Sequence, residues 1–212
     1  MLTLTEYLKQ TEFAMMQLFD SLKYYRKKLE EAHQALPSFE YCGRDDEEHI
    51  KKLEKDFFEE HKEQNKLANK MLDEVIGLKD SQSIICGSIL QTAHMGISKF
   101  SNYNGECFVL TKKQKKFGIG RKINNVPLGL IIYAGRNQYN HWDDKEPYEQ
   151  TRKLFDLIAT SNNELDYKDP CFNIELDTIE IYSHNIIGLI GWKCYEDYKQ
   201  DMIEMLSEFE EK

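Results

Sequence analysis

Residues 81–100, SQSIICGSILQTAHMGISKF, decide the fold class. Ile84, Ile85, Ile89, Leu90, Ala93 and Ile97 recur at three-to-four spacing. That is the period of one helix face, not the alternation of a strand. The apolar face is wide, which predicts a helix near the centre of the structure.

The same period extends outward on both sides. Toward the N-terminus, Ile50, Leu53, Phe57, Ala68, Met71, Leu72, Val75 and Ile76 line one long predicted helix. It starts at Asp45 or Asp46, where acidic side chains suit the positive end of the helix dipole, and Gly77 is its expected C-terminal cap. Its stripe thins at His61 and Gln64. A first helix carries Leu4, Leu8, Met15, Leu18, Phe19, Leu22, Tyr25 and Leu29, with Thr3 and Glu6 at capping-box spacing. Leu36-Pro37 ends it, and residues 37–44 connect it to the second.

Toward the C-terminus, Asn102 to Gly105 reads as a turn and Cys107 to Leu110 as at most a short extended piece. TKKQKKFGIGRKINN, residues 111–125, reads as irregular. Pro127 suits the first turn of a fourth helix containing Leu128, Leu130, Ile131, Ile132 and Tyr133. A fifth helix follows Pro147, from about Tyr148 to Thr160. Ile179 to Phe209 reads as one more helical region, in which Gly188 and Gly191 either loosen the helix or permit close packing. Strand alternation is nearly absent. The expectation is an all-α fold, an up-and-down helical bundle of five to six helices with long N-terminal helices. Residues 1–78 form a long helical hairpin, either an extension or part of the same bundle, and residues 79–212 form the core.

Composition narrows the function classes. No apolar run approaches the ~18 residues of a membrane span, and MLTLTEYLKQ lacks a signal-peptide layout. Five scattered cysteines (Cys42, Cys86, Cys107, Cys171, Cys194) without a Cys-x-x-Cys pair fit a reducing cytoplasm and speak against a structural zinc site. The net charge of −9 is unevenly spread. Residues 112–153 carry 10 basic and 4 acidic side chains, whereas residues 154–212 carry 4 basic and 14 acidic ones. One basic island therefore lies between acidic flanks.

That island contains Arg136-Asn-Gln-Tyr-Asn-His141 at the expected end of the fourth helix. Arginine offers a permanent cation with a planar fork of donors suited to phosphate. Histidine exchanges protons near neutral pH. An Arg-x4-His pair alone would arise by chance in roughly one such chain in seven, and asparagine directly after the arginine lowers this to roughly one in a hundred. Asn137 therefore carries much of the specificity.

In this motif and its helical context the chain resembles the HEPN superfamily, whose signature is Arg, a polar residue that is often Asn, and His after a short spacer. Arg136, Asn137 and His141 match it, and residues 79–212 would be the HEPN-like core. The resemblance implies a metal-independent endoribonuclease, needing no cofactor, that acts on RNA as a homodimer. Its implied settings are a toxin–antitoxin pair, with an antitoxin or inhibitor protein as partner, or an antiviral (phage-defence) system. His141 would act as general base on the ribose 2′-hydroxyl or as acid on the departing 5′-oxygen. Arg136 would stabilise the phosphorane, and Asn137 would orient. The product would be a 2′,3′-cyclic phosphate, and DNA would resist cleavage.

Helix geometry sets a condition. Five residues turn a regular helix through about 500°, so Arg136 and His141 would point roughly 140° apart. Either the helix ends or bends near His141, or a second protomer supplies the missing partner.

Lys112, Lys113, Lys115, Lys116, Arg121 and Lys122 are the expected RNA-phosphate contacts, although a solvated loop explains them as well. Asp143 and Asp144 can pair with His141 or cap the next helix. Tyr139 and Trp142 are read as packing residues, and His94 as a core or boundary histidine with a smaller chance of lining the site. No His pair has metal-ligand spacing, and Gly118-Ile119-Gly120 lacks the context of a phosphate loop. Two other classes stay open: a non-catalytic helical module binding RNA, a nucleotide or a protein, and a structural assembly protein built on the first two helices.

Overall fold

The computed structural model describes residues 2–41, 43, 46–105, 111, 114–144, 148–160, 168–174 and 181–209. The fold is all-α apart from one two-stranded hairpin, and no described helix is long and apolar enough to cross a membrane. The chain divides into two units, Met1–Leu22 with Asp80–Lys212, and Lys23–Lys79.

Helix α1 (Leu4–Ala35) opens on the expected capping box, with Glu6 N donating to Thr3 Oγ1 (3.1 Å) and Thr3 N to Glu6 Oε2 (2.9 Å). Its residues through Leu22 belong to the first unit, where Leu4, Tyr7, Leu8, Met15, Phe19 and Leu22 join the core. The remainder belongs to the second unit, with α2 (Glu47–Glu60) and α3 (Lys62–Gly77). Asp46 caps α2 by accepting from His49 N at 2.8 Å.

The expected single second helix is thus two. The break falls at His61, where the apolar stripe is thinnest. The His61 ring stacks on Phe57 at 4.1 Å, and Nδ1 lies 2.8 Å from the Phe57 carbonyl oxygen. His61 itself has φ −96° and ψ 18°, outside helical geometry, although its N–H still donates to the Phe57 carbonyl at 3.0 Å. Gly77 is the last residue of α3 rather than a left-handed cap, because the next helix restarts after Leu78 alone.

In the first unit, α4 (Lys79–Phe100) is central as expected, burying Ile89, Leu90, Ala93 and Ile97 completely. After a short 3-10 turn (Lys115–Phe117) comes the hairpin of β1 (Lys122–Ile123) and β2 (Val126–Pro127), with Ile123 paired to Val126. Asn124 and Asn125 both have positive φ (52° and 61°), the backbone of a two-residue hairpin turn that asparagine tolerates. The stretch read as irregular is therefore partly ordered.

Helix α5 (Leu128–Asn140) packs against α6 (Glu149–Thr160) and α7 (Ser183–Ile190), and most of its residues are buried. α8 (Tyr195–Leu206) completes the described α-helices, so there are eight where five to six were expected. The second extra helix arises at Gly191, whose φ of 84° ends α7 in a left-handed cap that a side chain would strain. The α7–α8 corner is tied to the hairpin. Arg121 donates to both carboxylate oxygens of Asp201 at 2.9 Å and to the Ile190 carbonyl at 2.6 Å, while Trp192 Nε1 donates to Asp201 at 2.7 Å.

Candidate functional site

The hexapeptide lies where an almost wholly buried helix reaches the surface. Arg136 to Asn140 form the last turn of α5, and His141 is its cap, with φ −128° and ψ 30°. The helix therefore ends at His141, one of the two ways around the angular separation. Tyr139 lies against α4, where a Cβ on Gly87 would stand 2.4 Å from its ring. Glycine at 87 thus lets the motif end of α5 approach α4 closely.

Three amides surround the Arg136 guanidinium. Its Nε donates to Gln91 Oε1 on α4 at 2.7 Å, and one terminal nitrogen donates to Asn137 Oδ1 at 3.1 Å. The Asn140 amide must turn its oxygen inward, since its nitrogen would face only donors. In that orientation it accepts from Nε, Nη1 and Nη2 at 3.0, 3.3 and 3.0 Å. Among the described residues no carboxylate pairs with Arg136, and its guanidinium is held in place by amides.

His94 sits one turn beyond Gln91 on α4 and stacks on Phe117 (4.8 Å) and Tyr133 (6.2 Å). Burial pushes its pKa down to about 4, and the charges of Arg136 and Lys116 push it the same way. Lys116 is fixed by donating to the Ser98 carbonyl at 3.2 Å. Gln114, beside it, donates to the Tyr133 hydroxyl at 2.6 Å. Part of the basic island is thus anchored next to the motif by α4 and α5.

His141 has a carboxylate of its own. Its Nδ1 lies 3.0 Å from Asp144 Oδ2, and its ring meets Tyr148 edge-on at 4.9 Å. Donation from Nδ1 to Asp144 leaves Nε2 free to exchange protons with a ligand. No hydrogen bond joins His141 to Arg136 among the described residues.

The six cationic side chains expected on RNA separate. Lys116 belongs to the site, Lys115 shares its 3-10 turn, and Lys122 is exposed on β1. Arg121 is occupied by Asp201, and Lys112 and Lys113 lie outside the described residues, as does Cys107 to Leu110. Asn137 is buried and contacts Arg136. Gln138, also in the motif, instead accepts from Tyr182 N at 3.0 Å and ties α5 to α7. Among the described residues no three His, Cys, Asp or Glu side chains gather as metal ligands.

Gln91 and Asn140 were not singled out from sequence. The available signal was weak: Gln91 and His94 are polar residues three apart beside the apolar stripe of one helix, a spacing that puts them on one face. Comparison with protein-family models, characterised proteins and solved structures yields no match for this chain.

Proposed function

We propose that this chain is a metal-independent endoribonuclease of HEPN type. The observation that carries the reading is the Arg136 cluster: a guanidinium fixed by amides, with no carboxylate partner among the described residues, at a helix end capped by a histidine that is itself paired with a carboxylate. An arginine used for folding normally meets a carboxylate, as Arg121 meets Asp201. One surrounded by neutral amides remains a receptor for an anion.

In the reaction, His141 Nε2 takes the proton of a ribose 2′-hydroxyl. The 2′-oxygen forms a bond to phosphorus, the bond from phosphorus to the 5′-oxygen breaks, and that oxygen takes a proton from water, the proton on His141 returning to solvent. The products are a 2′,3′-cyclic phosphate and a 5′-hydroxyl. Arg136 stabilises the charge on the phosphorane, an effect worth on the order of 10²–10³ in kcat for one well-placed donor. Asn137 holds Arg136 in position. Lys115, Lys116 and Lys122 hold flanking phosphates.

The reading includes a homodimer in which the motifs of two protomers complete shared sites, since Arg136 and His141 make no hydrogen bond within one chain. It places the enzyme in the cytoplasm, in a toxin–antitoxin or antiviral role with an inhibitor protein as partner. Purified protein with single-stranded RNA and excess EDTA is the test. Cleavage to cyclic-phosphate ends, absent on DNA and lost in Arg136→Ala and His141→Ala, supports the reading. Equal cleavage in both variants removes the site. Saturable, salt-sensitive RNA binding without cleavage at any neutral pH replaces it with the non-catalytic binding module.

A further inference from the structure

The ribonuclease reading assigns no residue on α4, yet the contact with Arg136 that spans the greatest distance in sequence comes from there. Gln91 and Arg136 are 45 positions apart, and their 2.7 Å bond fixes Nε, the guanidinium nitrogen nearest the backbone. A donor fixed at Nε aims the terminal nitrogens. With Asn137 on Nη1 and Asn140 reaching Nε, Nη1 and Nη2, the amides engage most of the five N–H donors and leave one on Nη2 for a ligand.

Amide chemistry matters here more than hydrogen bonding as such. A glutamate at 91 would reach the same Nε with a stronger, charge-assisted bond. It would also cancel the cation. Folding alone would therefore favour glutamate, whereas binding an anion favours glutamine.

We infer that Gln91 is a positioning residue of the phosphate site, orienting Arg136 through Nε while leaving its full charge for a single RNA phosphodiester. The inference rests on the ribonuclease reading and adds to it a second wall, α4. The His94 pKa is a reporter for that charge: burial is the main cause of its depression, and the Arg136 charge pushes it the same way.

Gln91→Glu and the neutral, similarly long Gln91→Met test it in the full-length protein. Three quantities are measured: melting temperature, the His94 pKa by NMR titration, and cleavage of RNA together with binding of a 2′-O-methyl oligonucleotide across salt concentrations. Gln91→Glu is expected to melt at or above the wild-type temperature and to raise the His94 pKa from about 4. It should lower kcat by roughly tenfold or more and reduce the salt slope of binding by about 0.7, the share of one phosphate on a single strand. Gln91→Met should leave His94 unmoved and lower kcat with little change in KM. Wild-type cleavage with an unaltered Gln91→Glu variant overturns the inference alone. A Gln91→Glu variant that leaves His94 unmoved also overturns it. A wild type that neither binds nor cuts RNA overturns the ribonuclease reading and the inference together.

Discussion

Arg121→Ala separates a folding arginine from a binding one. Arg121 spans 80 positions to Asp201, donating twice at 2.9 Å, and once to the Ile190 carbonyl at 2.6 Å. The Asp201 side chain is 10% exposed and the Arg121 side chain 44%. A fully buried pair loses ~3–5 kcal/mol when one partner is removed, and an exposed pair contributes ~0.2–1 kcal/mol. Half-exposure of the arginine places this pair between, at about 2 kcal/mol, with Trp192 Nε1 still bonding the remaining carboxylate. For a unit of this size that lowers the melting temperature by roughly 4–8 °C. Urea unfolding followed by tryptophan fluorescence reads the change, since Trp192 is buried beside the fork. RNA binding by the folded variant should keep its wild-type salt slope. A loss under about 0.5 kcal/mol, the range of neutral surface substitutions, or a reduced salt slope with unchanged stability refutes the assignment and returns Arg121 to the RNA contacts.

Two further outcomes follow from the same cluster. His94 is neutral in the fold, with a pKa of about 4 against about 6.5 unfolded, so the unfolded chain binds the extra proton first. Its contribution to stability is complete above about pH 6.5 and is lost as pH falls toward 4. Denaturant midpoints over that window should flatten in His94→Gln, and an unchanged profile counts against a depressed pKa. Gly87→Ala places a Cβ 2.4 Å from the Tyr139 ring, which should cost ~1–3 kcal/mol by overpacking and lower RNA cleavage even below the melting transition. Full activity with wild-type stability would mean that the α4–α5 approach does not need glycine.

The helices were legible because their periods are long and local: the wide stripe of residues 81–100 and the Thr3–Glu6 box each contain their own explanation. The hairpin was not, because strands of two residues have no alternation to read, leaving only Asn124-Asn125 as a turn signal. The split at His61 left only a thinning of the apolar stripe in the sequence, and the split at Gly191 turns on a single backbone angle. At the site, Arg136, Asn137 and His141 were legible as a local motif. Gln91 and the fate of Arg121 were not, since they depend on partners 45 and 80 positions distant in sequence, whereas His94, read as a core or boundary histidine, is half-buried against Phe117. Charge counted along the chain groups Arg121 with the lysines, and only the fold reveals which cation already has a carboxylate.

The amides around Arg136 carry one more consequence, on the scale of storage rather than turnover. Asparagine and glutamine are the thermolabile polar side chains, and hydrolysis of an amide leaves a carboxylate in its place. Asn140 is exposed at the last residue of α5 and turns its oxygen to the guanidinium. Its deamidation would install beside Arg136 a carboxylate that none of the described residues supplies, with almost no change in shape or mass. An ageing preparation of this protein would then remain folded and intact by size, while the proposed anion receptor shuts down one molecule at a time.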